Sequence, residues 1–530
     1  MTFDYIIAGA GSSGCLLANR LSAQSNQRVL LLEAGGEDSD KSIHIPLAFS
    51  KLFRSAFDWN DDSAPQVHMN NRRMYQPRGK VLGGSSSINA MIYIRGHRAD
   101  YDQWAALGNN GWSYEDVLPY FRRFEQNLEF DDAYHGTSGE LTVSRGRHHH
   151  RLSKLLLQAA AEAGYPLNSD FNGAVQEGFG FYQVTQRAGQ RCSAAKAFLE
   201  PVRHRSNLTV ATTATAHRIL WEGKKAVGLE YEQDHQPIKA YAKREVILCA
   251  GSFNSPQLLM LSGVGPGEEL QKQGIEVVHH LPGVGQNLQD HLLAGCVYHT
   301  HLQNTLDSAE RFPWSVRYLL QYLLWKKGVL SSNVAECGGF LRSQPELQAP
   351  DLQWHFSPGY FLRHGFDNPK TGNGLGLGMT LIYPHSRGKV QLKTPDPKDR
   401  PDIDPNYLAD ERDIQTLIRG YRITERIMAQ PAFAPYLRSR FMPPPEVETE
   451  PAVIDYLREW AQSLYHPVGT CKMGQDELAV VDEHLSVRGV RNLRVADASI
   501  MPVIVRGNTN APAMMIAEKA ADMIQKAITF

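Results

Sequence analysis

The chain has 530 residues, 42% hydrophobic and 21% charged, with a formal net charge of −1. That length allows more than one domain, and the composition fits an ordinary globular protein with a large core. The charge balance argues against a nucleic-acid partner, and no apolar run is long enough to cross a bilayer.

Residues 3–8, Phe-Asp-Tyr-Ile-Ile-Ala, read as a strand. They run into Gly9-Ala10-Gly11-Ser12-Ser13-Gly14, a helical pattern over 15–21, and a second strand over 28–33 that ends on Glu33. Strand, glycine turn, helix, strand and acid form the dinucleotide fingerprint in its required context. Gly9, Gly11 and Gly14 permit a tight turn, and the N–H groups around Ser12 and Ser13 open a helix that favours a pyrophosphate. Glu33 is placed to accept hydrogen bonds from ribose hydroxyls. This spacing alone does not distinguish FAD from NAD. The chain enters its first strand at once, which predicts no signal peptide. Cys15, Cys192, Cys249, Cys296, Cys337 and Cys471 are scattered without a CxxC pair. That pattern predicts reduced thiols in a cytoplasmic protein, with no disulfide framework or zinc site.

Residues 79–93 carry Gly83-Gly84-Ser85-Ser86-Ser87 inside an apolar frame. Glycine lets backbone approach a flat ligand closely, and serine hydroxyls can donate or accept around it. Ser113 reads as the cap of a helix. The triplet His148-His149-His150 reads as a solvated loop, because consecutive side chains rarely converge on one ion; no metal is expected. Strand-like runs fill 205–250. Residues 251–265 then repeat the arrangement of glycine turn and helix after a strand. The lipophilic stretch 318–325, followed by Lys326 and Lys327, fits a partly buried helix better than an interfacial anchor. Residues 350–400 are β-rich and 411–463 mostly helical. A last strand over 493–496 leads to Asp497, and a final helix covers 511–524, with Asn510 at its cap and Pro512 in its first turn. N-terminal nucleotide strands completed by C-terminal ones predict a discontinuous domain over 1–158, 205–300 and 466–530. Residues 159–204 and 301–465 would build a second domain.

Residues 79–93 and 251–265 resemble the two signatures of the glucose–methanol–choline oxidoreductase family. Asn287-Leu-Gln-Asp-His291, Ser332-Asn-Val-Ala-Glu336 and Tyr465-His-Pro-Val-Gly-Thr470 read like its bacterial alcohol and choline dehydrogenase branch. The resemblance covers residues 5–524. It implies an α/β (α+β) fold: a discontinuous Rossmann-like FAD-binding domain plus a substrate domain with a mainly antiparallel sheet backed by helices. It implies FAD held by Val81, Gly84, Ser85, Asn89, Ala90, Met91, Ile92, Gly251, Asp497, Ala498 and Ala511 as well as by the N-terminal turn. Val210 would pack on adenine, with plain strand core as its ordinary reading. Ile88 stands where some relatives carry a histidine that links FAD covalently, so noncovalent FAD is expected.

The same resemblance makes His466 the base and Asn510 its partner. Glu336 and Tyr465 would face the substrate, although Glu336 reads equally well as a buried hydrogen-bonding carboxylate. An alcohol gives up hydride readily only once its hydroxyl proton is leaving. A neutral imidazole can take that proton near neutral pH, an asparagine amide can steady the forming alkoxide, and flavin N5 receives the hydride. The expected reaction is oxidation of a primary aliphatic alcohol to the aldehyde, with a quinone or other acceptor taking the electrons. Peripheral attachment to the inner face of the cell membrane is left open by the same resemblance. A choline dehydrogenase, an oxidase using O2 and, remotely, a hydroxynitrile lyase share these motifs.

Overall fold

The computed structural model describes residues 1–527. A seven-stranded sheet carries the first core. Its parallel strands, in spatial order, are Leu208–Ala211, Val29–Leu32, Thr2–Ala8, the second half of Gln236–Leu248, and Leu493–Val495. All four residues of Val29–Leu32 are buried, as a parallel strand covered on both faces requires. Ala214–Glu222 and Lys225–Gln233 extend the sheet as an antiparallel meander. Helices Ser12–Leu21 and Asn510–Lys526 pack against each other. The two ends of the chain therefore close one domain.

The second sheet is antiparallel. It runs Leu437–Met442, Leu292–Thr300, Gly374–Leu381, Leu352–Ser357, Cys337–Leu341 and Gly178–Phe181, with Gln462–Ser463 paired on Leu292–Thr300. Successive side chains alternate between its faces. Leu292, Ala294, Trp354 and Phe356 point into a core shared with helices Arg151–Glu162, Glu411–Met428 and Glu450–Trp460. The helix Glu411–Met428 earns its place through Ile414, Leu417, Ile418, Tyr421 and Ile427, which recur at three- and four-residue steps on one buried face. Leu293, Gly295, Val297, His355 and Ser357 face the other way, into the cavity between the sheets.

Two expected boundaries move. The helix Arg151–Glu162 and the strand Leu292–Thr300 both belong to the second core, because their apolar faces pack there. The stretch expected to be mostly helical, 411–463, contains the strand Leu437–Met442, which pairs with Leu292–Thr300. Ser113 does cap the helix Tyr114–Phe124, in a capping box with Asp116. All six cysteines are free and buried. Among the described residues no helix is long and apolar enough to cross a membrane.

Candidate active site

One large cavity lies at the carboxyl ends of the parallel strands and under the antiparallel sheet. Open α/β sheets bind ligands at that edge. Gly9, Gly11, Ser12, Ser13, Glu33, Gly84, Ser85, Asn89, Ala90, Met91, Ile92, Gly251, Asp497, Ala498, Tyr465, His466 and Asn510 all line it.

The nucleotide end is a cradle made by missing side chains. Gly9 has φ +102°, and a Cβ there would sit 2.5 Å from the Cys249 carbonyl oxygen. A Cβ on Gly84 would come within 2.7 Å of the Gly11 Cα, so the two glycine turns touch backbone to backbone. Helices Ser12–Leu21 and Asn510–Lys526 begin here, and neither has a side-chain cap. Their free N–H groups suit a pyrophosphate. The Glu33 carboxylate accepts from the N–H groups of Ala10 (3.0 Å) and Gly35 (2.8 Å). Burial pushes its pKa up to about 7 against those two hydrogen bonds. Asp497 is wholly committed to the backbone and to serines: it accepts from Gly251 N (2.8 Å), Ser255 Oγ (2.6 Å), Ser499 N (2.8 Å) and Ser499 Oγ (2.6 Å). It fixes two turns at the cavity wall.

Several expected contacts lie elsewhere. Val210 pairs with Leu31 inside the sheet and does not line the cavity. The chain reaches the cavity four residues later, at Ala214, Thr215 and Ala216, after a turn with Thr213 at φ +50°. Gly14 serves packing: a Cβ there would lie 1.9 Å from the Gly9 carbonyl oxygen. Val81 belongs to a small core with Ile43, Leu52 and Ile88, behind the lining. Ala511 is buried one turn-step from the wall, where Ala513 takes part instead. Ile88 lines the cavity with an alkyl side chain that offers no atom for a covalent flavin link.

Glu336 is also away from the cavity. It is 2% exposed and accepts from His148 Nδ1 (2.8 Å), His150 N (2.7 Å), Ser153 Oγ (2.7 Å) and Ser332 Oγ (2.7 Å). Burial alone would raise its pKa, but those donors hold it below the ordinary value. The three consecutive histidines diverge. His148 binds Glu336, His149 stacks on Phe181 at 4.0 Å, and His150 caps the helix Arg151–Glu162. A different trio, Asp132, His135 and Asp170, is close enough together to hold an ion. Burial alone would lower the pKa of His135, yet hydrogen bonds to Asp170 and Glu125 carry it up to about 9.

The other end of the cavity centres on His466. Asp290 Oδ1 accepts from the His466 backbone N–H (2.7 Å), and Asp290 Oδ2 accepts from Ser463 Oγ (2.5 Å) and from the Tyr407 hydroxyl. Val468 and Gln289 exchange backbone hydrogen bonds beside it. The run 287–291 thus holds the histidine's backbone. Its last residue also meets the ring, with His291 Nδ1 2.9 Å from His466 Nδ1. On the far side, His466 Nε2 lies 3.2 Å from Asn508 Nδ2. The expected partner Asn510 is instead tied to the N-terminal turn, accepting from Ser12 Oγ at 2.7 Å. Asn510 sits at the start of the last helix, over the nucleotide cradle. Asn508 precedes it on a loop where Gly507 takes φ +121°, and that bend turns 508 toward the histidine.

The hydrogen bonds fix the tautomer. Gln353 Nε2 donates to Asn508 Oδ1 at 3.1 Å, so the Asn508 amide N–H faces His466 Nε2. Nε2 is then the acceptor, and Nδ1–H donates to His291. Burial, with His291, His355 and Arg78 nearby, holds the His466 pKa well below the ordinary histidine value. Burial likewise takes His291 to about 3 and His355 to about 3. The ring is a neutral imidazole on the cavity wall whose unprotonated Nε2 shares its lone pair with the Asn508 N–H. Tyr465 is at the wall with its hydroxyl 2.6 Å from His364 Nδ1 and its ring 5.4 Å from Phe53. Asn508, His291, Gln353 and Arg78 were not expected from the sequence. Asn508 stands two positions from Asn510 in one loop, and spacing alone could not separate them.

A nucleotide cradle joined to a buried neutral base defines a cofactor-dependent enzyme of the dinucleotide-binding class. Family models described as GMC oxidoreductase match residues 3–293 and 384–517, and the chain belongs to that family. It is a flavin oxidoreductase, and FAD is its cofactor. The chain is 49% identical to an alcohol dehydrogenase [acceptor] of Pseudomonas putida, over 99% of this chain and 96% of that one. It is 45% identical to the mitochondrial choline dehydrogenase of Mus musculus, over 99% and 89% of the two chains. Pyridoxine 4-oxidase from Mesorbium loti superposes with a TM-score of 0.90 at 31% identity, covering 98% of both chains.

Proposed function

We propose that this enzyme oxidises primary aliphatic alcohols to aldehydes, with His466 as the base. The observation that carries the substrate class is the lining of the chamber beside His466. Phe53, Leu293, Val297, Val334, Phe361 and Trp460 contribute apolar surface. The only carboxylates that line the cavity among the described residues are Glu33 and Asp497, at the nucleotide end. A quaternary ammonium would find no carboxylate on the chamber wall beside His466: Asp290 is spent behind it on the His466 backbone, Ser463 and Tyr407, and Glu336 on four donors. An alkyl chain would find a matching surface.

His466 Nε2 takes the hydroxyl proton, and the second N–H of Asn508 Nδ2 steadies the oxygen as negative charge develops. His291 and Gln353 hold those two groups in the required orientation. FAD, when bound, would supply the hydride acceptor, with a quinone or another acceptor as the final oxidant. Asn508→Ala is expected to slow alcohol-dependent flavin reduction by ~10²–10³, the usual worth of one preorganised donor. Asn510→Ala should act mainly on FAD affinity. A larger loss of reductive rate from the 510 variant than from the 508 variant would reverse these roles.

Anaerobic mixing with a medium-chain primary alcohol and, separately, with choline tests the substrate class through the visible flavin absorbance. The alcohol alone is expected to bleach it. Bleaching by choline at a comparable rate would contradict the reading. Peroxide formed on admitting oxygen would make the enzyme an oxidase, and cyanohydrin cleavage without bleaching would make it a lyase.

A further inference from the structure

The helix Trp314–Trp325 is turned inside out for a protein surface. Its buried residues are the tyrosines Tyr318 and Tyr322. Val316, Leu319, Leu320, Leu323, Leu324 and Trp325 are between 45% and 67% exposed, and Phe312 just before the helix is 84% exposed. The aliphatic residues recur at three- and four-residue steps, so they form one continuous outward face. The expected partly buried helix is present, but its buried side is the tyrosines and its aliphatic side faces outward. Contiguous apolar surface of this kind marks an interaction site.

We propose that this helix docks on an anionic lipid bilayer, lying in the plane of its surface. At 12 residues, or roughly 18 Å, it is too short to span the hydrocarbon layer. It has the composition of an interfacial helix, with leucines on the outer face and a tryptophan at the end. Arg317 within it and Arg311, Lys326 and Lys327 beside it are cationic; no Asp or Glu occurs from 311 to 335, and Glu310 just before is paired with Lys51 at 2.7 Å. That charge complements anionic headgroups. It opposes a two-fold pairing with a second copy, in which these cations would face one another. The inner face packs on Leu306, Ala309 and Val329, and Val334 joins the same cluster while also lining the cavity. Docking would therefore set the apolar side of the chamber near the lipid. The proposal stands on this surface and does not depend on which alcohol is oxidised.

Flotation of the full-length holoenzyme with phosphatidylglycerol/phosphatidylcholine (1:1) vesicles tests it, with pure phosphatidylcholine vesicles in parallel. Wild type should float with the anionic vesicles and less with the neutral ones. Leu320→Glu/Leu324→Glu should lower the bound fraction by at least ~10-fold, because binding scales with the apolar area buried in the interface. Lys326→Glu/Lys327→Glu should weaken binding and its salt dependence. Both variants should keep their flavin and their alcohol oxidation with a soluble dye. Wild type left in the bottom fraction, or Leu320→Glu/Leu324→Glu floating like wild type, would overturn the proposal. Equal flotation with both vesicles would overturn the anionic-lipid assignment. A dimer abolished by the leucine variant, without vesicle binding, would assign the face to a second copy.

Discussion

Replacing His466 with alanine is expected to leave FAD bound and to slow flavin reduction by alcohol ~10²–10⁴-fold, the range a general base contributes. The retention of FAD follows from position. His466 touches His291 and Asn508, whereas the cradle is built by Gly9, Gly11, Gly84 and two uncapped helix ends. The loss of rate follows from the lone pair on Nε2, which no neighbouring group replaces. His291 touches only Nδ1, and its own pKa of about 3 keeps it neutral. Rapid-mixing measurement of flavin bleaching checks both parts. A variant reduced at the wild-type rate would remove His466 from the mechanism.

The pH profile of the wild-type enzyme should carry the same signature. In the proposed role the active form of His466 is the deprotonated one, present above its pKa in the folded protein. Burial has moved that pKa well below 6.5. The reductive rate constant should therefore stay level as pH falls through 6.5 and drop only at lower pH. A limb centred near 6.5 would mean that the imidazole is solvated during turnover.

The nucleotide half of the site was legible in the sequence because its chemistry is local. Gly9, Gly11 and Glu33 lie within one βαβ unit, where strand and helix periods fix their relative positions. The half around His466 was legible only as separate pieces. His466 and the run 287–291 meet through a backbone ladder between Gln289 and Val468, a contact between distant segments that no periodicity announces. Asn508 and Asn510 are separated by the bend at Gly507, and the backbone direction there is a tertiary outcome. Val210 failed for a related reason. An apolar strand residue looks the same from the sequence whether its strand ends at the cavity or four residues short of it. The helix Trp314–Trp325 is partly buried as its pattern suggests, but its continuous aliphatic face points outward. Periodicity reveals that a face exists and leaves its direction to packing.

Replacing Glu336 with alanine should cost stability and leave alcohol binding close to wild type. The carboxylate is 2% exposed and answers four donors from three segments: His148 and His150, Ser153, and Ser332. Removing it would strand a backbone N–H, two hydroxyls and an imidazole in a buried pocket. Each unsatisfied buried donor costs about 1–3 kcal/mol. With several donors left unanswered at once, the expected fall in unfolding free energy is about 3 kcal/mol or more. Glutamine is not a remedy, because its amide nitrogen would face a donor where an acceptor is needed. The loop 146–150 and the start of the helix Arg151–Glu162 should loosen first, since His148 and His150 anchor there. Denaturant unfolding and KM for the alcohol, measured on the same preparation, separate the two possible roles. An unchanged unfolding midpoint with a raised KM would place Glu336 in the substrate site. A lowered midpoint with an unchanged KM is the outcome that four satisfied hydrogen bonds dictate.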